Sequence, residues 1–304
     1  METKWLEDFI SLAETRSFSR SAQLRHVTQP AFSRRIQALE AWAGTDLVDR
    51  SSHPTQLTPA GQALYAQALE MLQGLQATRA MLRGQSAAAQ DLIEFAVPHT
   101  LALSFFPTWL SGLRERLPSL KCRVAALNVH DALLRLIEGS SDLLIAHHHE
   151  AQPLALDPQR FDMLELGQDH LAPYTVPAAD GSPLFAWPGQ AAQPLPYLGY
   201  APGAYLGSVV DLLLSQSGAG LHLERLHEAD MAEGLKAMAL EGQGLAFLPH
   251  SAVQQELAQG RLVPAGPGPQ ALLPLRLYRE KPVGKRSSKS AAQALWAHLK
   301  QAAG

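Results

Sequence analysis

Residues 21–40 read SAQLRHVTQPAFSRRIQALE, and Pro30 constrains them more than any other residue. Apolar residues keep helical spacing on both sides of it: Ala22 and Leu24 before, Phe32, Ile36 and Leu39 after. A proline disrupts the middle of a helix but suits its first turn, where the missing N–H would lack a partner anyway. Thr28 is therefore expected to cap a helix opened by Gln29 and Pro30, with His26-Val27 as the turn before it. Ser19 is placed as the cap of the helix carrying Ala22 and Leu24. Trp5, Leu6, Phe9, Ile10, Leu12 and Ala13 define an earlier helix.

Two helices around a tight turn, the second polar on its outer side, make a helix-turn-helix pattern. Gln29, Ser33, Arg34 and Gln37 lie away from the apolar face. Glutamine and serine can bond base edges, and arginine can reach guanine or phosphate. No acid interrupts Arg16, Arg20, Arg25, Arg34 and Arg35. That local positive footprint matters because the 304-residue chain carries a net charge of −3, so any nucleic-acid surface has to be local. A solvated helical hairpin has the same pattern, and Glu2, Glu7, Asp8 and Glu14 balance the arginines over the whole segment. Extended pieces at 44–50 and 56–57, around a polar turn at 51–54, read as a β-hairpin: a wing, or a plain connection.

Phe18, Ser21-Ala22-Gln23-Leu24, Thr28-Gln29-Pro30-Ala31-Phe32-Ser33, Ile36-Gln37-Ala38-Leu39-Glu40, Leu47-Val48-Asp49-Arg50 and Leu57-Thr58-Pro59-Ala60-Gly61 follow one another in that order. The set resembles the winged helix-turn-helix of LysR-type transcriptional regulators. The resemblance implies binding to double-stranded DNA at promoter half-sites. Gln29, Pro30 and Ser33 would face bases and Arg34 and Arg50 the backbone, with Arg20, Thr28 and Arg35 completing the expected surface. Val48-Asp49 departs from the family, which more often has phenylalanine and a less acidic neighbour there.

Thr58 and Pro59 open another helix by the same logic as Thr28 and Pro30. Leu64, Ala68, Met71, Leu75, Thr78 and Leu82 follow at steps of four and three, and Gly84 ends the run. Such a seam has to be covered, by a second subunit or by its own chain. The family resemblance favours a homodimer through this linker helix, building to a homotetramer, with RNA polymerase as a further partner.

Small residues at 86–90 form a hinge, and the chain then changes character. Strands are expected at 92–97, 122–127 and 142–146, with helices at 101–117 and 132–138 between them. A second unit repeats the alternation: strands at 195–200, 221–228 and 244–248, helices at 204–215 and 231–241. Segments 170–176 and 273–278 can cross between the units, and 290–301 closes the chain as a helix. Two α/β lobes joined by two crossing strands resemble a periplasmic binding protein, which is also the effector domain of the LysR family. The expected fold is thus α/β with an all-α-plus-wing front. Its parts are a winged helix-turn-helix domain (1–58), a linker helix and hinge (59–90), and an effector domain (91–304). Lobe I takes 91–168 and 272–304, and lobe II takes 169–271.

Ligands of such sheets bind beyond the carboxyl ends of the strands. That places His99, Thr100, Leu101, Asn128, His130, His147, Tyr200, Pro202, Gly203, Ala204, Tyr205, Phe247 and Pro249 around an effector cleft. The helices opened by Thr100-Leu101 and by residues 202–205 suit a small anion or carboxylate. No cofactor is implied beyond this unidentified small-molecule effector.

Other signals carry less. Three adjacent histidines at 147–149 alternate faces on an extended segment and cannot converge on one metal ion. No GxSxG elbow and no nucleophile–base pair is spaced for catalysis, so no enzyme is expected. Cys122 is alone, so no intramolecular disulfide exists, and no apolar run spans a membrane. The expectation is a cytoplasmic protein with no membrane contact. A solute-binding protein with an incidental helical front is the competing reading. Within the family, residues 1–6, 29–36, 204–207 and 244–250 look most like the hypochlorite-responsive members, which are associated with oxidant sensing through methionines. Met231 is the best-placed match, and Leu206 stands where a sensing methionine is expected.

Overall fold

The computed structural model describes residues 2–52, 54–83, 91–217, 221–282 and 289–302. The chain begins with α1 (Thr3–Thr15), α2 (Phe18–Leu24) and α3 (Gln29–Ala43). A wing of β1 (Val48–Asp49) and β2 (Gln56–Leu57) follows, then the long α4 (Pro59–Arg83). Phe9, Ile10, Phe32, Ile36 and Leu39 are fully buried where α1, α2 and α3 meet. Each contributes about 1.5–3 kcal/mol by leaving water.

Two caps explain the helix starts. Thr28 Oγ1 accepts the Ala31 amide at 3.4 Å, so Gln29 and Pro30 open α3 as expected. The cap of α2 is Ser17, not Ser19. The chain leaves α1 through a left-handed Arg16 (φ 52°), which puts Ser17 in the extended region with its hydroxyl facing the Arg20 amide. His26 is also left-handed (φ 53°), which makes the turn between α2 and α3 tight.

The run of arginines without neighbouring acids is offset in space. Asp8 on α1 is fully buried and accepts from Arg25 Nε at 2.9 Å and Arg35 Nη1 at 3.0 Å, and Arg25 also pairs with Glu7. Asp8 thereby ties α1 to both recognition elements. In the wing Val48 faces Leu57, and Asp49 gathers the Ser51 amide and the hydroxyls of Ser51 and Ser52. The acid that departs from the family pattern therefore organises the turn. His53, also part of the expected turn, lies outside the described residues.

On α4, Thr58 Oγ1 accepts the Gly61 amide at 3.0 Å. The expected seam divides. Ala68 is buried in its own domain beside Leu69 and Leu72, whereas Met71 and Leu75 are 41% and 55% exposed. The side chains of Thr78 and Leu82, the stop at Gly84 and the hinge at 86–90 lie outside the described residues.

The rest of the chain is β3 (Leu92–Pro98), α5 (His99–Ser104), α6 (Phe106–Arg116), β4 (Lys121–Leu127), α7 (Val129–Ile137), β5 (Leu143–His147), β6 (Phe161–Thr175) and β7 (Leu195–Tyr200). It continues through α8 (Tyr205–Gln216), β8 (Leu223–Ala229), α9 (Ala232–Leu240), β9 (Leu245–Pro249), α10 (His250–Ala258), β10 (Val263–Pro264), β11 (Ala271–Glu280) and α11 (Ser290–Ala302). One sheet runs β4-β3-β5-β11-β6-β9-β7-β8, with β10 on β6. β3 lies parallel between β4 and β5, and β7 lies parallel between β8 and β9. The antiparallel pair β6 and β11 joins these two halves, so the crossing segments are longer than their apolar patterns suggest.

Two helices differ from expectation. The single helix expected at 101–117 is two, broken at Phe105, because Pro107 in the first turn of α6 cannot donate back to the preceding turn. The short helix α10 follows directly on Pro249 and was not expected. Its apolar face is little more than Val253 and Leu257, too brief to stand out as periodic. Among the described residues no helix is long and apolar enough to cross a membrane.

The N-terminal domain sits on lobe I. Leu133, Leu134, Leu136 and Ile137 of α7 share one apolar cluster with the core of α1–α3. Burial drives Glu14 of α1 up to about 8, helped by Glu138 at the end of α7 and opposed by a hydrogen bond from Tyr65. Burial likewise lifts Glu138 to about 7, helped by Glu7.

Candidate nucleic-acid interface and interlobe junction

The outer end of α3 presents Gln29, Pro30, Arg34 and Gln37 to solvent, with Ser33 half-buried beside them. Pro30 sits in the first turn, so the helix begins abruptly and its leading side chains protrude. Gln29 Oε1 accepts from Ser19 Oγ at 3.2 Å, a contact a base edge can replace. Arg34 leans back toward the Pro30 carbonyl at 3.4 Å. Arg16, Arg20 and Arg34 have no ion pair among the described residues. Arg35 pairs with Asp8, and Arg50 pairs with Glu40 at 2.7 Å while its guanidinium lies 5.5 Å from the Phe18 ring centre. Helical spacing puts Gln29, Pro30, Ser33 and Arg34 on the outer side of α3, whereas Arg35 is turned to Asp8 of α1 and Arg50 to Glu40.

The two lobes meet where α5, α9, α10 and the crossing strands converge. Thr100 is buried in the first turn of α5, and its Oγ1 donates to Glu233 Oε2 of α9 at 3.1 Å. Ser104 Oγ lies 3.0 Å from Ser251 Oγ of α10. Ser251 Oγ also donates to Asp169 Oδ2 at 2.6 Å, and its amide reaches Asp169 Oδ1 at 3.0 Å. His147 Nε2 completes the set at 3.0 Å from Asp169 Oδ2. Burial alone would raise the Asp169 carboxyl, but the bonds from His147 and Ser251 override it and hold it at about 2.

The structure distributes the expected cleft residues unevenly. His99 and Leu101 flank Thr100, with Leu101 turned into the core. His147 is committed to Asp169. Tyr200 Oη donates to the Phe247 carbonyl at 3.0 Å, so both belong to the interior of lobe II. Pro202 and Gly203 are exposed in the turn before α8, with Gly203 at φ +90°, and Ala204 is its cap residue. Pro249 caps α10. Asn128 caps α7 by accepting the Asp131 amide at 2.8 Å. His130 is not brought to the junction: its ring is buried near Arg20 and Arg25 of the N-terminal domain, and burial lowers it to about 4. Sequence reasoning missed Asp169, Glu233 and Ser251. Asp169 is one of three acids in β6, with Asp162 and Glu165, and nothing in the sequence singles it out.

Met231 is the cap residue of α9, two residues before Glu233, and 40% of it is exposed. A groove of about 330 Å³ is lined by His170, Tyr174 and His250, the two histidines next in sequence to Asp169 and Ser251 of the junction. Among the described residues no group of three or more His, Cys, Asp or Glu is arranged to hold a metal ion.

Comparison with known proteins matches the same two parts. The model for bacterial regulatory helix-turn-helix proteins of the lysR family fits residues 3–62, and the LysR substrate binding domain model fits residues 86–304. The HTH-type transcriptional regulator YjiE of Escherichia coli (strain K12) is 36% identical over 94% of this chain and 92% of its own. Full-length HypT from Salmonella typhimurium, described as a hypochlorite-specific LysR-type transcriptional regulator, is 31% identical over 100% of this chain and 98% of its own, with a TM-score of 0.59. Vibrio fischeri DarR, solved in complex with DNA, is 30% identical over 98% of each chain, with a TM-score of 0.58.

Proposed function

This chain belongs to the LysR family of bacterial helix-turn-helix regulators, and on that premise we propose how its parts divide the work. It is a DNA-binding transcriptional regulator with an effector-binding domain, and the solute-binding reading is not favoured. Its division at 58 and 90 separates reading head, linker and sensor. α3 enters the major groove with Gln29, Pro30 and Ser33 toward bases. Arg20, Thr28, Arg34, Arg35 and Arg50 hold the phosphates. The observation that carries this reading is the Thr28 cap, which ends the α2–α3 turn so that Gln29 and Pro30 stand at the exposed tip of a helix.

A second subunit covers the exposed Met71 and Leu75 of α4, giving a homodimer that places two copies of α3 on one duplex. Pairs of dimers form a tetramer, and the assembly contacts RNA polymerase at promoters in the cytoplasm. A small molecule at the interlobe junction shifts the Thr100–Glu233 contact and so the spacing of the two reading heads.

The test starts from a random duplex pool selected on the purified protein. The recovered sequences define the site. Gln29→Ala with Ser33→Ala is expected to lose about 10–100-fold in discrimination between that site and a scrambled duplex. Unchanged discrimination would remove α3 as the reading element.

Met231 favours a second reading, in which the signal is an oxidant. A solvent-exposed thioether at the cap of α9, next to the acid that bridges the lobes, becomes polar on oxidation and disturbs that bridge. HypT, a hypochlorite-specific relative in name, supports it. Leu206, buried in α8, stands against it, because an oxidisable residue is missing there. Mass spectrometry of hypochlorite-treated protein, read beside DNA affinity for parent and Met231→Leu, decides between the two signals.

A further inference from the structure

His170 on β6 and His250 at the start of α10 stand opposite each other, and contacts on either side of them fix this. On one side β6 and β9 run antiparallel, with Leu171 opposite Pro249. On the other, the Ser251 amide donates to Asp169 Oδ1 at 3.0 Å and the Ser251 hydroxyl to Asp169 Oδ2 at 2.6 Å. His170 and His250 are the pair between. Pro249 keeps extended angles (φ −60°, ψ 137°), so strand geometry holds as far as His250 before the helix turns away. Opposed side chains on neighbouring strands share a face, with Cβ atoms about 4.5–5.5 Å apart. Alternation along β6 turns His170 to the face opposite Asp169, outside the hydrogen-bond network of the junction.

Both histidines are exposed, and both line the groove of about 330 Å³. Ala172, two positions along β6 and opposite Leu248, shares their face and leaves the groove its depth. Tyr174, two positions further, is buried, and its Oη lies 3.4 Å from His250 Nδ1. With the Nδ1 proton turned to that oxygen, Nε2 keeps its lone pair for a ligand. Among the described residues no carboxylate, lysine or arginine lines the groove, so imidazole nitrogens are its principal donors, with Gln270 beside them. Imidazole suits zinc and copper, whereas calcium and magnesium take oxygen ligands. Metal–nitrogen bonds of about 2.0–2.1 Å let two rings at opposed positions close on one ion.

We propose that His170 and His250 chelate one divalent ion of the zinc or copper class, with the Gln270 carbonyl and water completing its coordination. Two imidazoles fall short of a closed structural site, so the ion stays exchangeable and open to solvent. Bound there, it ties β6 to the first turn of α10, whose Ser251 lies 3.0 Å from Ser104 of lobe I. Occupancy thereby steadies the lobe II side of the junction. The site goes beyond the regulatory reading above, and none of its tests uses DNA.

The probes are zinc chloride and copper(II) chloride, titrated separately into full-length, tag-free protein that has been stripped with a chelator and dialysed free of it. Calorimetry is expected to show one saturable ion per subunit, bound more tightly for copper than for zinc. Electron paramagnetic resonance of the copper form should show coupling to two imidazole nitrogens. The chain has 12 histidines, so variants decide which two are used. His170→Ala and His250→Ala should each remove the saturable step. Their metal-free unfolding midpoints should stay at the parent's, because both side chains are exposed. Tyr174→Phe should weaken zinc binding about tenfold by releasing Nδ1. His227→Ala, on the exposed edge strand β8, should bind as the parent does. A parent with no saturable step overturns the site. So does undiminished binding in His170→Ala or His250→Ala, or an equal loss in His227→Ala, which would mean ions scattered over surface histidines.

Discussion

Thr100 of α5 and Glu233 of α9 lie 133 positions apart in sequence and meet across the two lobes in a 3.1 Å hydrogen bond. Neither residue belongs to the sheet that joins the lobes, so their bond reports closure directly.

Thr100→Ala leaves Glu233 without that donor. Amide exchange in the first turns of α5 and α9 should quicken about 5–10-fold, equivalent to a hydrogen bond of about 1 kcal/mol. Thr100→Ser should restore the parent rate. Equal exchange in all three proteins would show that the contact holds nothing closed.

Asp169 should give the protein an acid-sensitive hinge. Its carboxyl is held at about 2 against an ordinary 3.8, so it contributes stability above the ordinary value and loses it as pH falls toward 2. The contribution is about 2 kcal/mol. Asp169→Asn should cost about 1–3 kcal/mol at neutral pH and flatten the acid limb of the stability curve. An unaltered acid limb in this variant would place the titration elsewhere.

The contact between the N-terminal domain and α7 should loosen in base. Glu14 and Glu138 are raised from 4.5 to about 8 and about 7, so their contribution is complete below the ordinary value and is lost as pH rises through those values. Small-angle scattering between about pH 6 and pH 9 should show the parent expanding and Glu14→Gln staying compact, because an amide cannot ionise. Parallel curves for the two proteins would exclude this carboxyl pair as the cause.

Gly61→Ala should destabilise the winged domain by at least about 1–3 kcal/mol. A Cβ at that position would lie 2.0 Å from the Leu47 carbonyl oxygen, and the obstacle is backbone that cannot rotate away. Thermal unfolding measures the loss, and a midpoint equal to the parent's would mean that α4 can slide along the wing.

The helix starts were legible because capping is local. Thr28 and Pro30 fix α3 through groups within three positions of one another. Ser17 was missed in favour of Ser19 because the choice between them depends on Arg16 leaving α1 in a left-handed conformation, which no local pattern announces. The break at Phe105 could have been read from Pro107. The charge pattern misled for another reason: the acid offsetting Arg25 and Arg35 is Asp8, 17 and 27 positions away. Of the cleft residues, Thr100 and Tyr205 lie where strand ends point. Tyr200 and Phe247 share that sequence signature but turn into the core of lobe II.

The sequence by itself determined the elements and their order, because capping, periodicity and turn chemistry act over a few residues and survive without the rest of the chain. It also determined the polar tip of α3, since an apolar stripe on one side of a helix leaves the other side to solvent. Only the tertiary structure decided which charges cancel, which polar atoms are stranded and which lobe residues touch. Electrostatic and hydrogen-bond energies depend on distance and burial, and those are set when remote segments pack. Asp8 beneath two arginines and Asp169 held by His147 and Ser251 exist only once the chain has folded.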